Sequence, residues 1–411
     1  MNDGVALDVL AKNQDLLRGS LETLDQEAIV KAFLWLNGEG SFPYPSSIHL
    51  DLTLRCSARC AHCMQWAWPD HAELTLSQLK QLFEVFSSWG VKTITFGGGN
   101  PLLHDHFIPA IKMACEAKME VGIISEGMEM SSELASAICK YGRWIRFSLD
   151  GPTPEIHDSI RNAPGLFNLV LSCIESLQAV PSPLLIGLNC VVQKKNVSSL
   201  AGMTELAERI GVDTLLFKIP HGDDPNSRFL PSINEWRMFV EWIHATADKK
   251  SSVRNNLKEL SELLAPVFLE EDVVAGRPVR EFYKRINARC FAPFFFLVCD
   301  SEGNAYPCDY LQADTRQWGG KYVNIRNEFR LGNILEDSQG VIDRLASMMR
   351  ERVHRLPGCG YDECGCCTRF FQLNAALTSI DDGLKNLAVD RKTVRERIAQ
   401  VKNEGPGASF L

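Results

Sequence analysis

Residues 55–63 read Arg-Cys-Ser-Ala-Arg-Cys-Ala-His-Cys, which sets Cys56, Cys60 and Cys63 at the spacing Cys-x3-Cys-x2-Cys. The run follows a β-rich, apolar stretch at 48–54 that reads as a strand, so the three thiols belong to the loop leaving it. On one loop, that spacing lets three sulfurs converge on a single centre. Thiolates are soft ligands suited to an iron–sulfur cluster or to zinc. On a four-iron cluster three cysteines leave one iron open for a small molecule, whereas structural zinc requires four protein ligands. The competing reading is a zinc site completed by His62 or by a distant residue.

Outward from this loop, short β-rich runs alternate with amphipathic helical ones. Strands are expected at 48–54, 93–96, 121–125, 144–149, 184–192 and 213–218, with helical periodicity between them, as in Leu76, Leu79, Phe83 and Phe86 before Gly90. Six βα units predict an α/β fold, a partial (β/α)6 TIM-like barrel with a parallel sheet. The loops that follow the strands of such a barrel form its active face, which favours the open cluster over a closed zinc site. The expected organisation is an N-terminal helical segment (1–45), the barrel (46–230), a helical bridge (231–285), a cysteine-bearing domain (286–370) and a helical tail (371–411).

With 411 residues, 45% hydrophobic and 23% charged, the chain is globular and long enough for two domains. Its net charge of −8, with no long basic run, speaks against a nucleic-acid partner. The longest apolar stretch, Phe291 to Cys299, is too short to cross a membrane, so no membrane partner is expected. No secretory signal is visible and the cytoplasm is the expected compartment, where fourteen cysteines imply metal ligation or redox chemistry rather than disulfides. Cys115, Cys139, Cys173 and Cys190 fall within expected helices and a strand and read as buried packing residues.

Two further runs sit where expected strands end. Gly97-Gly98-Gly99-Asn100-Pro101 follows the second, and Ser148-Leu149-Asp150-Gly151-Pro152, with His157, Asp158 and Arg161 beyond it, follows the fourth. Glu126 ends the third. Together with the three-cysteine spacing, these runs resemble the radical S-adenosylmethionine (SAM) superfamily over roughly residues 46–220. The resemblance implies a [4Fe–4S] cluster on Cys56, Cys60 and Cys63 whose open iron chelates SAM. It implies reductive cleavage of SAM to a 5′-deoxyadenosyl radical that takes a substrate hydrogen. Gly97, Gly98, Gly99 and Asn100 would then lie beside the methionine amino group, although that family has an acidic residue where Asn100 stands. His62 would approach the adenine, Ser148 and Asp150 the ribose, and Glu126 would be a further polar contact at the barrel mouth.

Seven of the cysteines lie between Cys290 and Cys367. Cys290 is followed at Cys-x12-Gly-x4-Cys spacing by Gly303 and Cys308, around an expected hairpin whose turn is 300–304; Leu331-Gly332-Asn333 comes next, then Cys359, Cys364, Cys366 and Cys367. On spacing alone this is a zinc ribbon or a cluster domain. It resembles the SPASM and twitch domains that append auxiliary [4Fe–4S] clusters to radical SAM barrels. That resemblance implies at least one auxiliary cluster on Cys290, Cys308, Cys364 and Cys367, with Cys299, Cys359 and Cys366 as substitutes or as support for a second cluster, although the distal run Cys359-x4-Cys364-x-Cys366-Cys367 departs from the SPASM spacing. In the sulfatase-maturing relatives an aspartate at the place of Asp309 accepts the substrate proton, which makes Asp309 the candidate base. The implied activity is oxidation, crosslinking or epimerisation of a ribosomally made peptide or protein, fed by an electron donor such as flavodoxin or ferredoxin. The alternatives are the same chemistry on a small molecule such as an aminocyclitol or sugar, and a non-catalytic iron–sulfur carrier or scaffold.

Overall fold

The computed structural model describes residues 31–32, 35–36, 40–60, 62–63, 73–219, 229–268, 290–309, 312, 316–318, 321–323 and 329–353. The fold grows from β1 (Ser47–Thr53), whose period-two pattern gives it two different faces. Ile48, Leu50 and Leu52 are buried in the main apolar core, while His49, Asp51 and Thr53 alternate with them.

Five strands follow in consecutive order: β2 (Thr93–Gly98), β3 (Glu120–Ser125), β4 (Trp144–Ser148), β5 (Leu185–Val191) and β6 (Thr214–Lys218). Each pairs in parallel with its predecessor, and the register aligns Leu50, Phe96, Ile123, Ile145 and Ile186 in one apolar row across the sheet. The six expected strands are therefore present, with ends displaced by at most two residues. Parallel neighbours require crossovers, and helices supply them: α1 (Leu76–Trp89), α2 (Phe107–Glu116), α3 (Ser132–Tyr141), α4 (Pro154–Arg161), α5 (Leu166–Gln178) and α6 (Leu200–Ile210).

α1 shows why such segments are helical. A capping box of Thr75 and Gln78 starts it, Gly90 in the left-handed conformation (φ +76°) ends it, and Leu79, Leu82, Phe83 and Phe86 form a buried stripe. Each fully buried Phe contributes roughly 1.5–3 kcal/mol over its exposed state.

Beyond β6, the described residues hold two helices, α7 (Ile233–Thr246) and α8 (Leu257–Phe268), separated by the short β7 (Arg254–Asn255), which joins the sheet beside β6; the rest of the expected bridge, 269–285, lies outside the described residues. At the other edge β8 (Phe296–Cys299) and β9 (Asn304–Tyr306) form the expected antiparallel hairpin. The sequence did not reveal that β8 lies parallel to β1, with Leu50 opposite Cys299. The hairpin thus continues the barrel sheet. A separate ribbon is formed by β10 (Arg316–Trp318) and β11 (Lys321–Val323), while β12 (Gly332–Asn333) pairs with β9 and leads to α9 (Ser338–Val353). The ten-stranded order is β12-β9-β8-β1-β2-β3-β4-β5-β6-β7, and among the described residues its ends do not pair, so the barrel is partial. No helix among the described residues is long and apolar enough to cross a membrane.

Candidate active site

The cysteine loop leaves the C-terminal end of β1 and is bound there by the glycine run after β2. Gly99 N donates to Thr53 O and Asn100 N to Arg55 O, both at 2.7 Å. A methyl group on Gly97 would collide with the His49 ring, one on Gly98 with Thr53 O, and one on Gly99 with Arg55 O. Gly98 also has φ +104°, where a side chain is strained. The three glycines are therefore demanded by the close approach of β2 to the root of the cysteine loop.

Cys56, Cys60 and Cys63 pack in one small apolar cluster with Ala58 and Leu166, and a turn closed by Cys63 N and Cys60 O (3.1 Å) brings the last two together. The donor set suits a thiolate-ligated cluster: three thiols on one loop, one of them facing a buried cation. Arg161 Nη1 donates to Cys60 Sγ at 3.4 Å. Burial pushes the thiols of Cys56 and Cys60 up, and the Glu126 carboxylate adds to the rise at Cys56. Ligation must therefore displace their protons.

Glu126, nearly buried at the end of β3, accepts from Ser57 N (2.7 Å), Ser57 Oγ (2.8 Å), Ala58 N (3.2 Å) and Cys56 Sγ (3.0 Å). It thus shapes the cysteine loop directly. Asn100 is fully buried, with Nδ2 donating to Gly127 O at 3.0 Å and Oδ1 accepting from Ser125 Oγ at 2.9 Å and from Leu102 N. Its amide ties the glycine loop to β3, so the carboxylate at this part of the mouth comes from Glu126.

Asp150 is also fully buried and turned into the protein. Oδ1 accepts from Val191 N at 2.8 Å, Oδ2 pairs with Arg161 Nε at 2.7 Å, and its own N–H donates to His157 Nδ1 at 3.0 Å. It holds Arg161 in place. Asp158 caps the start of α5 by accepting from Gly165 N and Phe167 N. Ser148 ends β4, half-buried. His62 is held against Gln193 at 3.0 Å, and burial, reinforced by Arg161 and opposed by Asp150, pushes it down to about 4, so it is a neutral imidazole at pH 7.

A second group lies across β1. Asp309, beside Cys308, has Oδ1 at 3.7 Å from His49 Nδ1, and His49 Nε2 is 3.0 Å from Asp51 Oδ1. Gln312 Nε2 donates to the other Asp51 oxygen at 2.6 Å. His49, Asp51 and Gln312 went unread in the sequence, where a lone His two residues before an Asp on a strand carries no signal; only their alternation with buried leucines hints that they share a face. Cys290 and Cys308 are half-buried, and Cys308 packs against Phe296, Val298 and Tyr306. Cys299, a possible substitute ligand, is instead fully buried in the main core. Cys359, Cys364, Cys366 and Cys367 lie outside the described residues. Of the four cysteines expected to pack, Cys139, Cys173 and Cys190 do; Cys115 is exposed, because it falls on the solvent side of α2.

Residues 50–206 match the family model of the radical SAM superfamily. The AdoMet-dependent heme synthase of Methanosarcina barkeri is 24% identical over 280 residues, covering 65% of this chain and 77% of that protein. The mycofactocin maturase MftC of Mycolicibacterium smegmatis is 24% identical over 298 residues, covering 71% and 68%. Among solved structures, Streptococcus suis SuiB bound to its precursor peptide SuiA superposes with a TM-score of 0.56 at 13% identity, covering 83% of this chain and 75% of that one.

Proposed function

We propose, proceeding from this chain's membership of the radical SAM superfamily, that it modifies a ribosomally made peptide by radical oxidation, crosslinking or epimerisation. The enzyme uses SAM, a SAM-binding [4Fe–4S] cluster and at least one auxiliary [4Fe–4S] cluster. The observation that carries the site assignment is the packing of three thiols together on the loop after β1, braced by Glu126 and faced by Arg161. We assign Cys56, Cys60 and Cys63 to the SAM cluster and Cys290, Cys308, Cys364 and Cys367 to the auxiliary one.

When bound, the first cluster and SAM supply a 5′-deoxyadenosyl radical that takes a hydrogen atom from the substrate. The protein's part is to hold SAM and one substrate C–H bond together at the barrel mouth. Gly97 to Gly99 offer backbone there, Ser148 and the neutral His62 offer polar contacts, and Glu126 offers a carboxylate. Asp309 would take the proton that the substrate gives up, and the auxiliary cluster, when bound on Cys290, Cys308, Cys364 and Cys367, would supply the acceptor for the electron that leaves with it.

The peptide reading is supported by MftC, named a maturase, and by SuiB, solved with its precursor peptide. The heme synthase relative supports a small-molecule substrate as the second reading. We place the enzyme in the cytoplasm, the compartment that keeps thiols reduced, and assign its electron supply to a donor such as flavodoxin or ferredoxin.

The test is to reconstitute the full chain anaerobically with iron and sulfide, and to assay it with SAM, a strong reductant and the product of any short peptide gene lying beside its own. Two clusters correspond to roughly eight iron atoms per chain. Cys60→Ala should abolish 5′-deoxyadenosine formation, and Cys308→Ala should spare SAM cleavage while modified peptide is lost. Wild-type SAM cleavage by Cys60→Ala refutes the site; bound zinc without sulfide refutes the chemistry.

A further inference from the structure

We propose that Arg161 tunes the cluster carried by Cys56, Cys60 and Cys63, raising its reduction potential through a hydrogen bond to the Cys60 sulfur. The inference rests on the ligand assignment above and adds to it a residue that ligates nothing.

Arg161 ends α4 and meets the cysteine loop at two points. Its carbonyl accepts from Arg59 N at 2.9 Å, and its Nη1 reaches Cys60 Sγ at 3.4 Å. The remaining edge of the guanidinium pairs with Asp150, 2.7 Å from Nε. A planar fork can serve a carboxylate and a sulfur together in this way; a point charge on a flexible stem cannot. Both charged groups are buried, so water does not screen the contact. Asp150 is itself fixed by Val191 N, by Asn196 Nδ2 on its carbonyl (2.8 Å) and by His157 through its own N–H.

Two consequences follow. Asp150 cancels most of the guanidinium's long-range field, so what reaches a cluster here is the local N–H donated to one sulfur. A sulfur that accepts a hydrogen bond gives up electron density, and an added electron is then held more easily; hydrogen bonds to cluster sulfurs are among the main levers on such potentials. An arginine present only to neutralise Asp150 would be satisfied without the second arm on Cys60. The arrangement favours acceptance of the electron that SAM cleavage consumes, and it operates before any substrate is bound.

The test uses the full-length enzyme loaded anaerobically, comparing the parent with Arg161→Lys and with Asp150→Asn/Arg161→Met, which leaves no charge buried alone. Dye-mediated redox titration is followed by the EPR signal that changes on adding SAM, which separates this cluster from an auxiliary one. Iron and sulfide content and circular dichroism are measured in parallel. The expected result is retained fold, retained cluster content and a more negative midpoint potential in both variants, further displaced in the double variant. An unchanged midpoint at full cluster content overturns the inference, as does a raised KM for SAM with the midpoint unmoved, which would make Arg161 a SAM contact. Loss of the cluster from the folded Arg161→Lys protein also overturns it, leaving Arg161 a structural anchor. Survival of the SAM-responsive signal in Cys60→Ala would instead defeat the ligand assignment, so the two failures are distinguishable.

Discussion

His157 is fully buried in α4, its Nδ1 accepting from Asp150 N, and burial with the nearby Arg161 pushes its pKa down to about 4. In the unfolded chain an imidazole takes up its proton near pH 6.5, which the folded protein refuses until about pH 4. The folded state is therefore favoured in full above about pH 6.5, and this contribution drains away as the pH falls toward 4, a loss on the order of 3 kcal/mol. The thermal midpoint should drop on acidification from pH 7 to 4.5, and His157→Asn, which keeps an acceptor for Asp150 N, should flatten that dependence; equal slopes in the two proteins would show that His157 is not the group responsible. Asp309 poses a chemical question at the same scale. Asp309→Asn retains shape and should retain cluster content and SAM cleavage, while product formation falls by roughly 10²- to 10⁴-fold, the share a general base supplies. Unchanged turnover of the native substrate would make Asp309 structural. At this scale legibility depends on chemistry carried by spacing: the thiols declared themselves, whereas His49, Gln312 and the inward turn of Asp150 depend on which strand faces which, and no local residue pattern encodes that.

The glycine loop shows an element whose sequence is dictated by its neighbour. The β1–β2 register shifts between Asp51 and Thr53, where the strand gives way to the cysteine loop, and Gly98 sits opposite Thr53 with φ +104°. A side chain there meets both strain and the Thr53 carbonyl. Gly98→Ala should cost about 1–3 kcal/mol in urea denaturation of the cluster-free protein and lower its capacity to take up iron, since the same backbone holds Thr53 and Arg55 at the root of the cysteine loop. An alanine variant of parental stability and iron content would mean that the loop yields without consequence. The six barrel strands and α1 were legible because alternation and 3.6-residue periodicity are local signals reinforced by caps. The pairing of β8 with β1 was not legible, because it joins segments some 250 residues apart and parallel pairing leaves no turn signature.

That pairing joins the described part of the N-terminal segment, the barrel and the hairpin into one packed body. Ser47 N donates to Phe295 O at 2.9 Å beside the β1–β8 ladder, and Phe294, fully buried, stacks on Phe42 at 5.2 Å and meets the edge of Trp35 at 5.7 Å. A cluster domain that merely hung from the barrel would unfold separately; one whose first strand supplies a sheet neighbour to β1 cannot leave without exposing the barrel's own edge and the apolar layer beneath it. Cys308 follows β9 by two residues and Cys56, Cys60 and Cys63 follow β1, so the same sheet sets the distance between Cys308 and the three thiols of the β1 loop. Phe294→Ala touches neither group. It should nevertheless cost about 3–5 kcal/mol, typical for deleting a buried ring. If the body is single, tryptophan fluorescence and far-ultraviolet circular dichroism of the variant should still report one coincident urea transition, moved as a whole to lower denaturant. Two separated transitions, with the barrel's at its parental midpoint, would show instead that the hairpin domain folds on its own account and that the spacing of the two groups is set by a linker rather than by the sheet.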